Sequence, residues 1–375
     1  MKRVAMAVLV VDSFFGTAVW GQSETHTNLQ AVNVSGVSTQ AVATPFTLRG
    51  VILNDPEEML DFTWDPGAES GNRMGAQWQM FFQTMAGNDR GGTACWMGQN
   101  YNSLGPFIPE GNFYSEAAWS NEMVRVNYDT NALHHFRKGD LVEVRATKTL
   151  FYGGKRNINE AHRVTTANDF AVTLVQAGYG LPDPEVVHLA DLVNVDDGNP
   201  GTHEDIFDPT RETGGERYQG MRVRIEAVRI ATNGYAANGW GKTNWADRLC
   251  TVTDGEGRFF TLRLPLADLG PAPTDWFSAV GIVNQESGSG TDGTFGYELF
   301  VQEIGPTLRM VQSSGNMLVY WSATYTNYAL EYSTNLTMTS GWQRVETPPV
   351  KWISVEEDPA VSGEPARFYR LKQQE

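Results

Sequence analysis

The feature that most constrains this chain is a β-strand pattern written twice. One copy spans residues 46–180 and the other 186–306 of the 375. The first offers TLRGVIL, WQMFFQTMAGN, GGTACWMG, GDLVEVRATKTLF and KRNINEAHRV. The second offers MRVRIEAVRI, DRLCTVTDGEG, RFFTLRLPL, WFSAVGIVNQ and GYELFVQEI. Each segment is short, rich in β-branched and aromatic residues, and bounded by Gly, Asp or Asn, the signature of strands rather than helices. Strand patterning with 38 Gly and 17 Pro predicts an all-β protein.

Five strands in this order suit a small Greek-key barrel of the OB type, so the reading is two tandem OB-like five-stranded barrels. One helix is expected in the first copy. SEAAWSNEMVRVNY has helical spacing through Ala118, Trp119, Met123 and Val124, with Ser115 as its cap. The block 307–375 changes grammar. It has Trp321 on an early strand, the alternation Tyr328, Leu330, Tyr332 and a late RFYRL strand, which fit a small immunoglobulin-like or fibronectin-III-like β-sandwich.

The N-terminus reads as a secretory signal over residues 1–21. Lys2 and Arg3 precede an apolar stretch, and small residues stand before Gln22, although Asp12 interrupts the apolar run. Polar residues 22–45 read as a linker. No later run reaches the roughly 20 apolar residues that span a bilayer. The expected location is secreted, at the cell surface or in the periplasm, with no transmembrane segment. Cys95 and Cys250 fall in different repeats, in apolar contexts. Two buried thiols are the expectation, with one bridge between the barrels as the alternative.

The chain carries 28 basic and 44 acidic residues, a net charge of −16. Residues 181–306 hold 20 acidic and 9 basic side chains and so most of the excess. Such a domain repels a polyanion unless basic side chains gather on one face or cations intervene.

One loop breaks the acidic trend. FYGGKRNINEAHR joins the fourth and fifth strands of the first copy, a place where OB folds grip oligonucleotides or oligosaccharides. Phe151 and Tyr152 offer stacking faces, and Lys155 and Arg156 offer phosphate contacts. Lys148, His162 and Arg163 stand nearby. In the second copy Trp240 and Trp245 occupy the loop between the first two strands, the other favoured contact site. The acidic loop before it supplies Asp196, Asp197, Glu204, Asp205 and Asp208. These are hard oxygen ligands dense enough for Ca²⁺ but without EF-hand spacing. A solvated acidic loop is the competing reading.

Catalytic constellations are sparse. His203-Glu204-Asp205 lacks the H-E-x-x-H spacing of a zinc hydrolase, and the chain has no G-x-S-x-G elbow and no P-loop. A metal-dependent hydrolase centred on His203 and Asp208 is a third option behind two non-catalytic ones.

The second copy resembles the OB-fold domains attached to extracellular bacterial nucleases of the YhcR type. The resemblance rests on ADL at 190–192, YQGMRVRIEAVRI, CTVTDGEG, SAVGIVNQ and GYELFV, about 115 residues of hydrophobic alternation with glycine punctuation. It implies an accessory binding module of the kind that accompanies a separate catalytic domain, and no such domain is visible in this sequence. The last block is similar to the short C-terminal β domains of secreted proteins of environmental bacteria, which implies attachment to the cell surface or spacing. Together these readings give a secreted, non-catalytic protein whose barrels bind an extracellular polymer, single-stranded nucleic acid first. The alternative is a structural or adhesive envelope protein with glycan-binding or spacer barrels.

Overall fold

The computed structural model describes residues 22–40, 45–63, 75–99, 114–159, 168–199, 201–232, 238–313, 316–322, 325, 327–335, 341–345, 354–357 and 368–374. The protein is mostly strands, and no helix among the described residues is long and apolar enough to cross a membrane. The predicted signal, 1–21, lies outside the described residues.

The expected linker is not one. Thr25 caps a single helical turn, α1 (His26–Leu29), by accepting from the Asn28 backbone N–H. His26, Leu29 and Gln30 recur at helical spacing, so one face of the turn is buried. Gln30 Nε2 donates to Thr93 Oγ1 and to the Arg156 carbonyl, tying this segment to the first module.

That module is built on β1 (Phe46–Ile52), β2 (Gln77–Gln83), β3 (Gly92–Gly98), α2 (Glu116–Asn127), β4 (Leu141–Ala146), β5 (Leu150–Tyr152), β6 (Lys155–Asn159) and β7 (Phe170–Gln176). The sheet order is β7-β4-β1-β2-β3-β6-β5, with β3 and β6 parallel. α2 forms where expected, and Ser115 accepts from the Ala118 N–H. It buries Trp119 and Val126, whereas Val124 is exposed. The Trp78 indole donates to Asn127 Oδ1 at 2.8 Å, which fixes the helix end over the sheet.

The first copy departs from a barrel at one seam. Its pairing order matches the expected five strands, but among the described residues β4 and β6 do not pair. β7 occupies the edge of β4, with Phe170 opposite Ala146, and β5 folds back on β6, with Leu150 opposite Asn157. Both edges that would close a barrel are thus taken, that of β4 by the later strand β7 and that of β6 by its hairpin partner β5. The tight turn Gly153-Gly154, with φ of 66° and 91°, makes that hairpin possible.

The second copy does close. β8 (Glu185–Val187) and α3 (Gly214–Tyr218) lead into β9 (Arg222–Ile230), β10 (Leu249–Thr253), β11 (Phe259–Arg263), β12 (Phe277–Gln285) and β13 (Tyr297–Pro306). These five pair in the order β9-β10-β11-β13-β12 and back to β9, with β11 and β13 parallel. Val223, Ile225, Val228, Leu262, Phe277 and Leu299 fill the interior. A bulge between Ile225 and Val228, with Ala227 at φ 55°, resets the alternation of β9.

A third apolar core lies between the modules. Phe81, Ala94 and Trp96 meet Ile282 and Phe300, and the Phe81 and Phe300 rings pack edge to face at 5.5 Å. Beside this core the backbones of Gly92 and Gly220 cross in contact. After the barrel, β14 (Arg309–Ser313), β15 (Asn316–Tyr320), β16 (Tyr328–Ser333), β17 (Gln343–Arg344), β18 (Ser354–Glu357) and β19 (Phe368–Gln373) form two three-stranded antiparallel sheets. Val319, Trp321 and Leu330 are their buried centre. Cys95 and Cys250 are both buried, and burial pushes the Cys250 thiol up to about 11.

Candidate functional site

The basic loop of the first module is a joint between modules. Lys155 is 3% exposed, and its ammonium donates to Asn284 Oδ1 at 2.8 Å and the Gln285 carbonyl at 2.7 Å, and pairs with Glu286. Arg156 donates to Thr149 Oγ1, Ser38 Oγ and the Gln40 carbonyl, and burial lowers its pKa. Its guanidinium also lies over Phe151, 5.9 Å from the ring centroid. Tyr152 is half exposed and donates to the Gly288 carbonyl. Lys148 stays at the surface near Asp169. His162 and Arg163 lie outside the described residues. The loop reaches the barrel rather than solvent because Gly154 packs on the Gln285 side chain.

The two loop tryptophans are partly buried. The Trp240 indole donates to the Gly270 carbonyl and packs on the barrel core. Trp245 sits against the intermodule core, with the Arg263 guanidinium 4.0 Å from its centroid and Phe300 edge-on.

The five acidic ligands separate into three groups. Asp196, Asp197 and Glu204 bring one carboxylate oxygen each within 4.8 Å of one another. Asp205 instead turns inward and accepts from the Gly296 N–H, and burial raises its pKa. Asp208 accepts from Thr210 and Thr213, hydroxyl and backbone alike. The Thr210 hydroxyl leads in holding its carboxyl down at about 2. His203 and Asp208 therefore serve different structures: the imidazole stacks on Phe295 at 3.7 Å, nearly parallel.

That stack borders a cleft of about 320 Å³ on the outer face of β10 and β11. Thr251, Phe259 and Thr261 form its floor, and His203, Glu204 and Phe295 its wall. Alternation places these three strand residues outward while Cys250, Val252, Phe260 and Leu262 enter the core. Phe259 and Phe295 are absent from the sequence-predicted site, and alternation along RFFTLRL was the signal that could have found Phe259.

Behind the cleft lies a buried polar group. Glu216 is fully buried, the Tyr297 hydroxyl donates to its Oε1 at 2.8 Å, and Oε2 has no hydrogen-bond partner among the described residues. Burial pushes its carboxyl up to about 7, against the pull of Arg211.

No protein-family model, curated protein or solved structure matches this chain.

Proposed function

We propose that this protein is a secreted, non-catalytic binding protein that holds an extracellular glycan on the outer face of its closed barrel. A ring of five strands in the order 1-2-3-5-4 suits the OB type, whose second and third strands take oligosaccharides and oligonucleotides. The observation that carries the reading is the cleft over β10 and β11. Phe259 and the His203–Phe295 stack offer flat apolar faces, and Thr251, Thr261 and Glu204 offer hydroxyl partners. Ring faces flanked by a few polar groups suit sugars.

Nucleic acid, the first expectation from sequence, keeps Lys148 and Tyr152 at the surface but is less well supported, because the two loop cations read as phosphate contacts are engaged within the protein. Lys155 is buried on Glu286, Arg156 is bound to the N-terminal segment, and the cleft itself carries Glu204. Secretion rests on the sequence of residues 1–21 alone. Ca²⁺ on Asp196, Asp197 and Glu204 is a subsidiary part of the proposal, in which the ion orders the loop beside the cleft. The two C-terminal sheets fit a fibronectin-III-like spacer or attachment domain.

The test is a neutral-oligosaccharide array on the full chain, with and without Ca²⁺, followed by calorimetry. Phe259→Ala is expected to weaken binding about tenfold, roughly 1.4 kcal/mol. Absence of any glycan binding, with salt-sensitive binding of single-stranded DNA in its place, overturns the reading.

A further inference from the structure

The cleft over β10 and β11 takes one wall from the loop 286–296, which joins β12 to β13 and carries Phe295. Glycine stands at 288, 290, 293 and 296 of this loop, so its backbone is permissive and the place of Phe295 depends on what packs against it. Gln285, the last residue of β12, supplies the central contact. Its side chain is fully buried, and its amide nitrogen carries two N–H donors. They go to two carbonyls of the loop, those of Gly293 and Phe295, the latter at 2.9 Å. On the other side the Gly296 N–H donates to Asp205 Oδ2 at 3.1 Å. Phe295 is thus held from both sides, with its ring centroid 3.7 Å from that of His203.

Gln285 is in turn held by the first module. Gly154 lies so close to its amide that a Cβ there would stand 2.2 Å from Gln285 Cδ. Lys155 donates to the Gln285 carbonyl at 2.7 Å. Gly153 donates to the Ser289 carbonyl and accepts from the Ser287 N–H. The N-terminal segment reaches the same loop. The Ser35 carbonyl accepts from the Gly293 N–H at 3.3 Å, and a Cβ on Gly36 would stand 2.2 Å from the Gly293 carbonyl carbon.

We infer that Gln285 is a positioning residue of the binding cleft, braced by the β5–β6 hairpin and by residues 35–36. The first copy then serves the second by building one wall of its site. A wall fixed before the ligand arrives spares the ligand the cost of ordering it. The inference rests on the reading of the cleft over β10 and β11 as the binding face.

NMR of the full chain with ¹³C-labelled histidine tests the brace without any ligand. The Phe295 ring moves the signals of the stacked His203 imidazole upfield, and His203→Gln assigns them. Gln285→Met keeps the side chain's length and loses both donors. We expect it to move the His203 signals toward those of an unstacked imidazole and to weaken neutral-oligosaccharide binding, measured by calorimetry, about tenfold. Gly154→Ala presses on the same amide from the hairpin and is expected to move the same signals. If Gln285→Met does not fold, Gln285→Asn takes its place, since it keeps the amide one methylene short of the two carbonyls. Val142→Ala, in the core of the first module, controls for lost stability: it lowers the melting temperature and leaves both readouts in place. Unmoved His203 signals in the Gln285 variant or in Gly154→Ala overturn the inference, and so does an equal movement in Val142→Ala. Failure of the barrel-face reading looks different: no oligosaccharide binds the unaltered chain, while the His203 signals still respond to Gln285→Met.

Discussion

Lys155 holds the two modules together with one buried charge. Its ammonium meets three acceptors on the chain between Asn284 and Glu286. Lys155→Met removes the donor and leaves those acceptors facing an apolar chain. The Glu286 side chain is 41% exposed and returns to solvent, so the cost comes from the two buried acceptors at Asn284 and Gln285, about 1–3 kcal/mol, and the urea midpoint measures it. Glu216 makes a different contribution. Its carboxyl is raised from 4.5 to about 7 in the folded protein, so the folded state holds a proton that the unfolded state releases. The stability this gives is fully present below pH 4.5 and is lost as pH rises through 7. Glu216→Gln should flatten a decline on the order of 3 kcal/mol across that window. Urea midpoints at pH 4.5 and 7.5 decide the matter, and an undiminished slope in the variant counts against it.

At the scale of elements, the N-terminal turn and the glycine crossing do what the strand pattern alone does not show. α1 buries a neutral imidazole: His26 Nδ1 meets Thr93 Oγ1 at 2.9 Å, and burial lowers its pKa to about 4. Because the folded value is depressed from 6.5, this contribution is present above pH 6.5 and falls away as pH drops toward 4. Amide exchange over residues 25–31 should therefore quicken between pH 6.5 and 4, after correction for intrinsic rates. His26→Gln should abolish the pH dependence, and equal protection at both ends would refute it. Gly92 crosses Gly220 so closely that a Cβ on Gly92 would stand 2.1 Å from the Gly220 carbonyl oxygen. Gly92→Ala must push the backbones apart, at a cost of roughly 3 kcal/mol or more, visible as a lowered melting temperature.

These elements also mark what the sequence could reveal. Strand positions and the capped helix were legible because alternation and a Ser cap are local signals. Closure of one copy and not the other was not legible. It turns on which partner takes the edge of β4, a pairing between residues far apart in sequence. A basic hairpin reads the same whether Lys155 faces solvent or Glu286. The bulge at Ala227 similarly hid the direction of Arg229, since it shifts the alternation of β9 by one residue.

For the molecule as a whole, the repeated pattern yields one body rather than two beads. Phe300 is buried between the modules against Phe81 and Trp245, outside the barrel's own interior. Arg248, also buried, donates across the boundary to the Met59 carbonyl at 3.2 Å. Separating the modules would expose this apolar surface and strand a guanidinium that has few other acceptors, so independent unfolding is penalised on both counts. Residues 22–306 should therefore unfold in one transition, with Trp78 and Trp276, one from each module, reporting a single midpoint. Phe300→Ala costs about 3–5 kcal/mol by cavity formation, and both reporters should move together. Were the modules independent, only the Trp276 signal would shift and the Trp78 midpoint would stay in place. Single-tryptophan variants followed through one denaturation series separate these outcomes.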